Sequence, residues 1–269
     1  MVVNDSAMHS AWRSHKVNIM SNKYAFLQSD RSWSETLTLL ANVKLLGPMG
    51  GPIDRVGIAG ISRSGKSTWP TKMFELCERV PCHEGMQIDD LCGGFDPRAV
   101  GQGKSMAAWC HGPGTRMMLE GGTLVLDEID LHSPEVRPVL HAVLDKPSGI
   151  ILANGEHVRA KKGFTVFATT NLECPDQLAE PIYERLQAWF VADTLSEGLV
   201  ASLGRFGKLA VRNAESRAER YRKWQRPMGT GLLLACASLH EAGVPPDCLP
   251  RALGLRGQQA NDLAIALSE

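Results

Sequence analysis

The stretch Gly60-Ile61-Ser62-Arg63-Ser64-Gly65-Lys66-Ser67 constrains this chain more than any other, because it satisfies G-x-x-x-x-G-K-[ST] at every fixed position. The spacing has a physical reason. Glycines let the backbone curl until successive N–H groups point inward at phosphate oxygens. Lys66 would place an ammonium on the β- and γ-phosphates, and the Ser67 hydroxyl would ligate magnesium. Such a loop needs a strand before it and a helix after it. Arg55–Ala59 is an apolar strand candidate. Thr68–Glu78 reads as a helix with Pro70 in its first turn, where a missing N–H costs little. That helix would aim its positive end at the anion. Gly60, Ser62, Arg63, Ser64, Gly65, Lys66, Ser67 and Thr68 are therefore the expected nucleotide contacts.

A second segment answers the first. Gly121-Gly122-Thr123-Leu124-Val125-Leu126-Asp127-Glu128 is an apolar strand ending in two acids. In a parallel sheet, ligands gather at the carboxyl ends of strands. Asp127 is thus expected beside the phosphate loop, holding magnesium with Ser67. Glu128 would orient and deprotonate the attacking water. A kinase needs an acceptor pocket, whereas a hydrolase needs a base on water, so the acidic pair favours hydrolysis.

Around these segments, short apolar runs alternate with helical stretches, which argues for a parallel sheet covered by helices. The strand candidates are Arg55–Ala59, Arg79–Cys82, Thr123–Leu126, Phe164–Ala168 and Ala188–Val191. Asn154-Gly155, between Ile150-Ile151-Leu152 and His157-Val158, signals a tight hairpin. Ser34–Leu46 reads as a helix with Ser34 as N-cap. Residues 1–33 read as a polar arm, 34–194 as an α/β nucleotide-binding domain, and 195–269 as a small helical domain built from Leu209–Trp224, Gly229–Ala242 and Asn261–Leu267.

The formal net charge is zero, which argues against a dedicated nucleic-acid or membrane-surface protein. The seven cysteines (Cys77, Cys82, Cys92, Cys110, Cys174, Cys236, Cys248) include no Cys-x-x-Cys pair and read as reduced thiols of a cytoplasmic protein. Adjacent Cys82 and His83 would chelate zinc poorly. The sequence contains no apolar run of membrane-spanning length and no segment of signal-peptide type, so no membrane insertion is expected.

Taken together, the motifs resemble the AAA+ ATPases, in particular the MoxR-like and dynein-related branch and its CbbQ/NorQ-type chaperones. The resemblance is carried by Asp89-Asp90-Leu91-Cys92-Gly93-Gly94-Phe95, by Gly112-Pro113-Gly114-Thr115-Arg116 with Leu119-Glu120-Gly121-Gly122, by Asp127-Glu128-Ile129-Asp130 with Ser133-Pro134-Glu135-Val136, and by Phe164-Thr165-Val166-Phe167-Ala168-Thr169-Thr170-Asn171. It implies a five-stranded parallel sheet with a C-terminal helical lid, ATP and Mg2+ as ligands, and a homo-oligomeric ring, usually hexameric. By position, Asn171 would be the sensor that holds the lytic water with Glu128. Arg185, in Glu184-Arg185-Leu186, would be the arginine finger reaching a neighbour's γ-phosphate, although the family more often has Arg-Phe there. Arg226 best matches the lid arginine acting in cis, with Arg251 and Arg256 as rivals.

The same resemblance implies a protein client, often one bearing a von Willebrand A domain, that the ATPase remodels, activates or assembles. Residues 1–31 and the hairpin Gly149–Arg159 remain for partner recognition. Arg159, Lys161 and Lys162 follow the hairpin turn as a solvated basic edge or as contacts to polypeptide or nucleic acid. Two alternatives compete. A nucleic-acid motor or packaging ATPase is disfavoured by the neutral charge, and a P-loop kinase is disfavoured by Glu128 and Asn171.

Overall fold

A computed structural model of the protein describes residues 32–60, 62–96, 98–99, 108–171, 178–192 and 230–255, with single residues 200, 211, 260, 261 and 263. The helical candidates 209–224 and 261–267 and the arm up to residue 31 lie mainly outside them.

The chain is an α/β fold on an all-parallel, five-stranded sheet. In chain order the central strands are β1 (Arg55–Gly60), β2 (Cys77–Pro81), β5 (Thr123–Asp127), β8 (Thr165–Thr170) and β9 (Ala188–Ala192), and their spatial order is β2-β5-β8-β1-β9. Two small antiparallel ribbons accompany them. One pairs β3 (Gly93–Phe95) with β4 (Trp109–His111), and the other pairs β6 (Gly149–Ile151) with β7 (His157–Arg159) across the Asn154-Gly155 turn. The second ribbon was expected from the sequence and the first was not. His111 Nε2 lies 2.9 Å from Glu156 Oε2, which ties the two ribbons together.

Both faces of the sheet are covered, so β1, β5, β8 and β9 are buried at every position. Successive side chains alternate between two cores. Leu124, Leu126, Val166, Ala168 and Val191 face α4 (Pro113–Glu120) and α5 (Arg137–Leu144). Val56, Ile58, Val125, Phe167 and Phe190 face α1 (Trp33–Asn42), α7 (Thr230–Glu241) and α8 (Leu249–Ala252). The described part of the C-terminal segment thus shares a core with the sheet. Trp189 lies over Gly57, where a Cβ would come within 2.4 Å of the indole, so the ring's resting place requires glycine.

The bounds of several elements differ from the sequence reading. The first helix starts at Trp33 and is capped by Ser32, not Ser34. Glu35 sits three residues after Ser32, and the two close a reciprocal capping box: Glu35 N donates to Ser32 Oγ (3.3 Å) and Ser32 N to Glu35 Oε2 (2.9 Å). The helix also ends at Asn42 rather than Leu46. The helix after the glycine-rich loop, α2, is only Thr68–Met73. Phe74 turns extended and packs its ring against both Trp69 and Phe167, 5.9 Å and 5.8 Å away, so packing ends the helix early. Residues 77–81 are thereby released to pair with β5 from Cys77↔Thr123 to Pro81↔Asp127, so β2 starts two residues and ends one residue before the expected Arg79–Cys82.

Candidate nucleotide site

The loop between β1 and α2 opens at the carboxyl edge of the sheet. Gly60 has φ +147°, and a Cβ there would sit 2.5 Å from the Ala192 carbonyl, so the turn out of β1 requires glycine. Arg63 (φ +65°) and Gly65 (φ +89°) adopt left-handed backbone within the same loop, the alternation that turns N–H groups toward one concavity. Lys66 is buried. Its Nζ donates to the Gly60 carbonyl (2.9 Å), closing the loop on itself, and to Asn171 Oδ1 (2.9 Å). Burial pushes the Lys66 ammonium down to about 8, an effect that Asp127, Glu128 and Asp130 only partly offset.

β5 delivers its two acids as neighbours of this loop. Burial alone would raise the Asp127 carboxyl. Hydrogen bonds from Ser67, Thr169 and Arg79 outweigh it and hold the group below the usual carboxylate range. Ser67 Oγ and Thr169 Oγ1 (2.6 Å) both donate to Asp127 Oδ1, while Arg79 Nε (3.0 Å) and its terminal nitrogen take Oδ2. Glu128 then leaves the strand in left-handed backbone, φ +56° and ψ +51°. This conformation costs a non-glycine residue roughly 1–2 kcal/mol. Its N–H is anchored on Thr169 Oγ1 (3.1 Å), and its carboxylate accepts from Asn171 Nδ2. The turn faces Glu128 toward the end of β8 instead of continuing β5 past it.

These groups line one open cavity of about 220 Å³, bounded by Ser62, Arg63, Gly65, Lys66, Ser67, Thr68, Arg79, Asp127, Glu128 and Asn171. The donor set suits a hard divalent cation. A carboxylate and a hydroxyl already meet, and a cationic group already occupies the carboxylate's second oxygen. Magnesium held by Ser67 and Asp127 would supply charge neutralisation to a bound triphosphate.

The remaining expected residues fall elsewhere. Arg185 lies just before β9, donating through Nε to Asp145 Oδ1 (2.6 Å) and through its terminal nitrogen to the Pro181 carbonyl (2.6 Å). The Asp145 carbonyl in turn faces Arg55 at the start of β1 (3.5 Å). Arg185 is therefore at the amino edge of the sheet, about 16 Å of strand away from the loop that follows Gly60. Arg226 and Arg256 lie outside the described residues, and Arg251 is on α8. Lys161 and Lys162 precede β8 at that same amino edge, away from the cavity.

Sequence reasoning missed Thr169 and Arg79. Thr169 stands in the Ala168-Thr169-Thr170-Asn171 run, where only Asn171 was singled out. Its hydroxyl serves both acids, donating to Asp127 and accepting from the Glu128 amide. Arg79 belongs to an exposed position of an edge strand, a place where charged residues need no explanation.

Comparison with known proteins supports the nucleotide reading. The family described as AAA domain (dynein-related subfamily) matches residues 64–186, a little under half of the chain. Proteins of Staphylococcus aureus strains USA300, NCTC 8325 / PS 47 and MRSA252, each described only as an uncharacterized protein, are 30% identical over 119 residues. The similarity covers 42% of this chain and 45% of each relative, so the chain spans about half the length of the curated relatives it matches. The family match begins inside the phosphate loop and ends just past Arg185, taking in β5, β8 and both acids, and it supports an AAA+ ATPase.

Proposed function

We propose that the chain hydrolyses ATP with magnesium. Ser67 and Asp127 hold the metal, Lys66 neutralises the β- and γ-phosphates, Asn171 positions the lytic water, and Glu128 accepts its proton. The observation that carries this reading is the relay Lys66–Asn171–Glu128 across one cavity. Glu128 is strained into left-handed backbone at the end of a fully buried strand, a geometry that a solvated acidic end has no reason to keep. The Asn171 side-chain oxygen accepts from Lys66. A γ-phosphate offers Lys66 a stronger, charged acceptor, which frees Asn171 to hold water with Glu128. Water oxygen then attacks phosphorus while its proton passes to the Glu128 carboxylate.

Arg185 acts in trans. Its position at the opposite edge of the sheet supports this, because an arginine there serves a site only across a subunit interface. The working form is accordingly a homo-oligomeric ring, taken as hexameric. By resemblance to MoxR-like chaperones, its turnover remodels or activates a protein client, such as one bearing a von Willebrand A domain. The test is phosphate release from ATP and Mg2+ by wild type and Glu128→Gln. The variant should bind a fluorescent ATP analogue as wild type does and release phosphate at least about a hundredfold more slowly. Wild-type turnover in Glu128→Gln removes that residue from the mechanism, and phosphate transfer to a small acceptor in place of water overturns the reading.

A further inference from the structure

The guanidinium on Asp127 is not explained by the fold. Arg79 is an exposed residue of the edge strand β2, and its side chain is half in solvent, with 53% of it accessible against 10% for Asp127. In the β2–β5 register, Pro81 stands opposite Asp127, and Arg79 lies two residues earlier on the same face. Its long side chain therefore runs along the strand to the carboxyl edge. There it meets Oδ2, the oxygen that Ser67 and Thr169 leave open. Among the described residues, every side-chain hydrogen bond and ion pair found for Arg79 goes to Asp127.

We infer that Arg79 competes with a divalent cation for Asp127 Oδ2, and must release Asp127 before the cation is held there. Arg79 is thus a positioning residue that sets the magnesium requirement. The inference rests on the reading of Ser67 and Asp127 given above. The physical asymmetry supports exchange. Asp127 is fixed by two further hydrogen bonds inside the cavity, whereas Arg79 is held at one end only and swings into water at little cost. Without a cation on its second oxygen, the largely buried Asp127 carboxylate would lose that charge compensation. The guanidinium supplies that charge until the triphosphate and its metal bring their own. A half-exposed pair is also weak enough to be given up on binding.

The experiment is a Mg2+ titration at a fixed concentration of fluorescent ATP analogue, reading binding and not turnover. In Arg79→Met, which keeps the aliphatic stem, the half-saturating Mg2+ concentration should fall about fivefold, with Arg79→Lys in between. An Arg98→Met control removes an exposed guanidinium that is paired with Asp96 and does not line the cavity, and its Mg2+ curve should stay within about twofold of wild type. Superimposable curves for wild type and Arg79→Met overturn the inference, as does an equal shift in the Arg98 control. If Arg79→Met does not fold, Arg79→Lys decides alone, by a lowered or an unchanged Mg2+ requirement. A wild-type chain that binds no nucleotide at any Mg2+ concentration sinks the proposed function instead, so the two failures are distinct.

Discussion

Lys66 and Asn171 meet across the candidate nucleotide cavity, Nζ to Oδ1 at 2.9 Å, and the same amide donates its N–H to Glu128. A carboxamide suits this place because it accepts from the cation and donates to the base at once. An aspartate would repel Glu128, and an alanine would break both contacts. Asn171→Ala is expected to bind a fluorescent ATP analogue within about threefold of wild type and to lose roughly a hundredfold in phosphate release. A parallel loss of affinity and turnover would mean that Asn171 only shapes the cavity.

The depressed Lys66 gives a pH dependence with a definite sign. Its folded value is about 8, against an ordinary value near 10.5. Between these limits the unfolded chain holds more protons than the folded one, so this group makes stability rise with pH across that window. Below about pH 8 the full penalty of a buried ammonium is present. Nucleotide binding works the other way, since phosphates favour the charged form. Affinity should be flat up to about pH 8, then fall by up to about tenfold per pH unit as binding comes to require proton uptake. Titrations of the fluorescent analogue from about pH 7 to about pH 9.5 measure this. An affinity constant to the upper end would show that Lys66 already carries its proton before nucleotide binds.

Much of the site is legible in the sequence because its backbone demands are local. Gly60, Gly65, Lys66 and Ser67 form one contiguous motif, and β5 advertises itself as five buried residues ending in Asp127. Asn154-Gly155 likewise specifies its hairpin by turn chemistry alone. The missed features depend on contacts between distant positions. Thr169 reaches Asp127 over 42 residues of chain, and Arg79 reaches it over 48, neither with a local signature. The β3–β4 ribbon consists of strands of three residues each, too short for an alternating pattern to register. The early end of α2 is a tertiary override, because residues 68–78 read as helix until Phe74 is drawn into the Trp69–Phe167 cluster.

Placing Arg185 at the far edge of the sheet makes a complementation test available. Arg185→Ala should bind ATP and hydrolyse little, and Glu128→Gln should do the same for a different reason. Mixed in equal amounts, the two restore complete sites wherever an Arg185→Ala subunit lends its cavity and a Glu128→Gln subunit lends its arginine. With random assembly and a head-to-tail interface, about a quarter of interfaces are complete, so activity should recover to about that fraction of wild type. Assembly can be followed by light scattering in the same samples. Mixed particles with no recovered turnover would place Arg185 outside any neighbour's site.

The amino edge that carries Arg185 is itself organised by a buried cation. Arg55 is 3% exposed and donates to the carbonyls of Asp54 (2.8 Å), Leu144 (3.2 Å), Phe164 (3.4 Å) and Asp145 (3.5 Å), and to Ser148 Oγ. Its guanidinium also lies 5.1 Å from the Phe164 ring centroid. Burial lowers its pKa, and Asp54 and Asp145 act against that shift. One planar, five-donor head thus satisfies the ends of β1 and α5 and the approach to β8 together. Arg55→Met preserves side-chain length but strands those acceptors, and should cost about 3–5 kcal/mol. In a chain of this size that lowers the midpoint of thermal unfolding by roughly 6–15 °C. Arg55→Lys should rescue less than half of the loss, because a single ammonium reaches fewer of the diverging carbonyls. Since Asp145 bridges Arg55 to Arg185, the Met variant should also weaken trans activation while leaving the Mg2+ dependence of nucleotide binding in place. A midpoint within about 2 °C of wild type would show that these carbonyls find water as readily as they find Arg55.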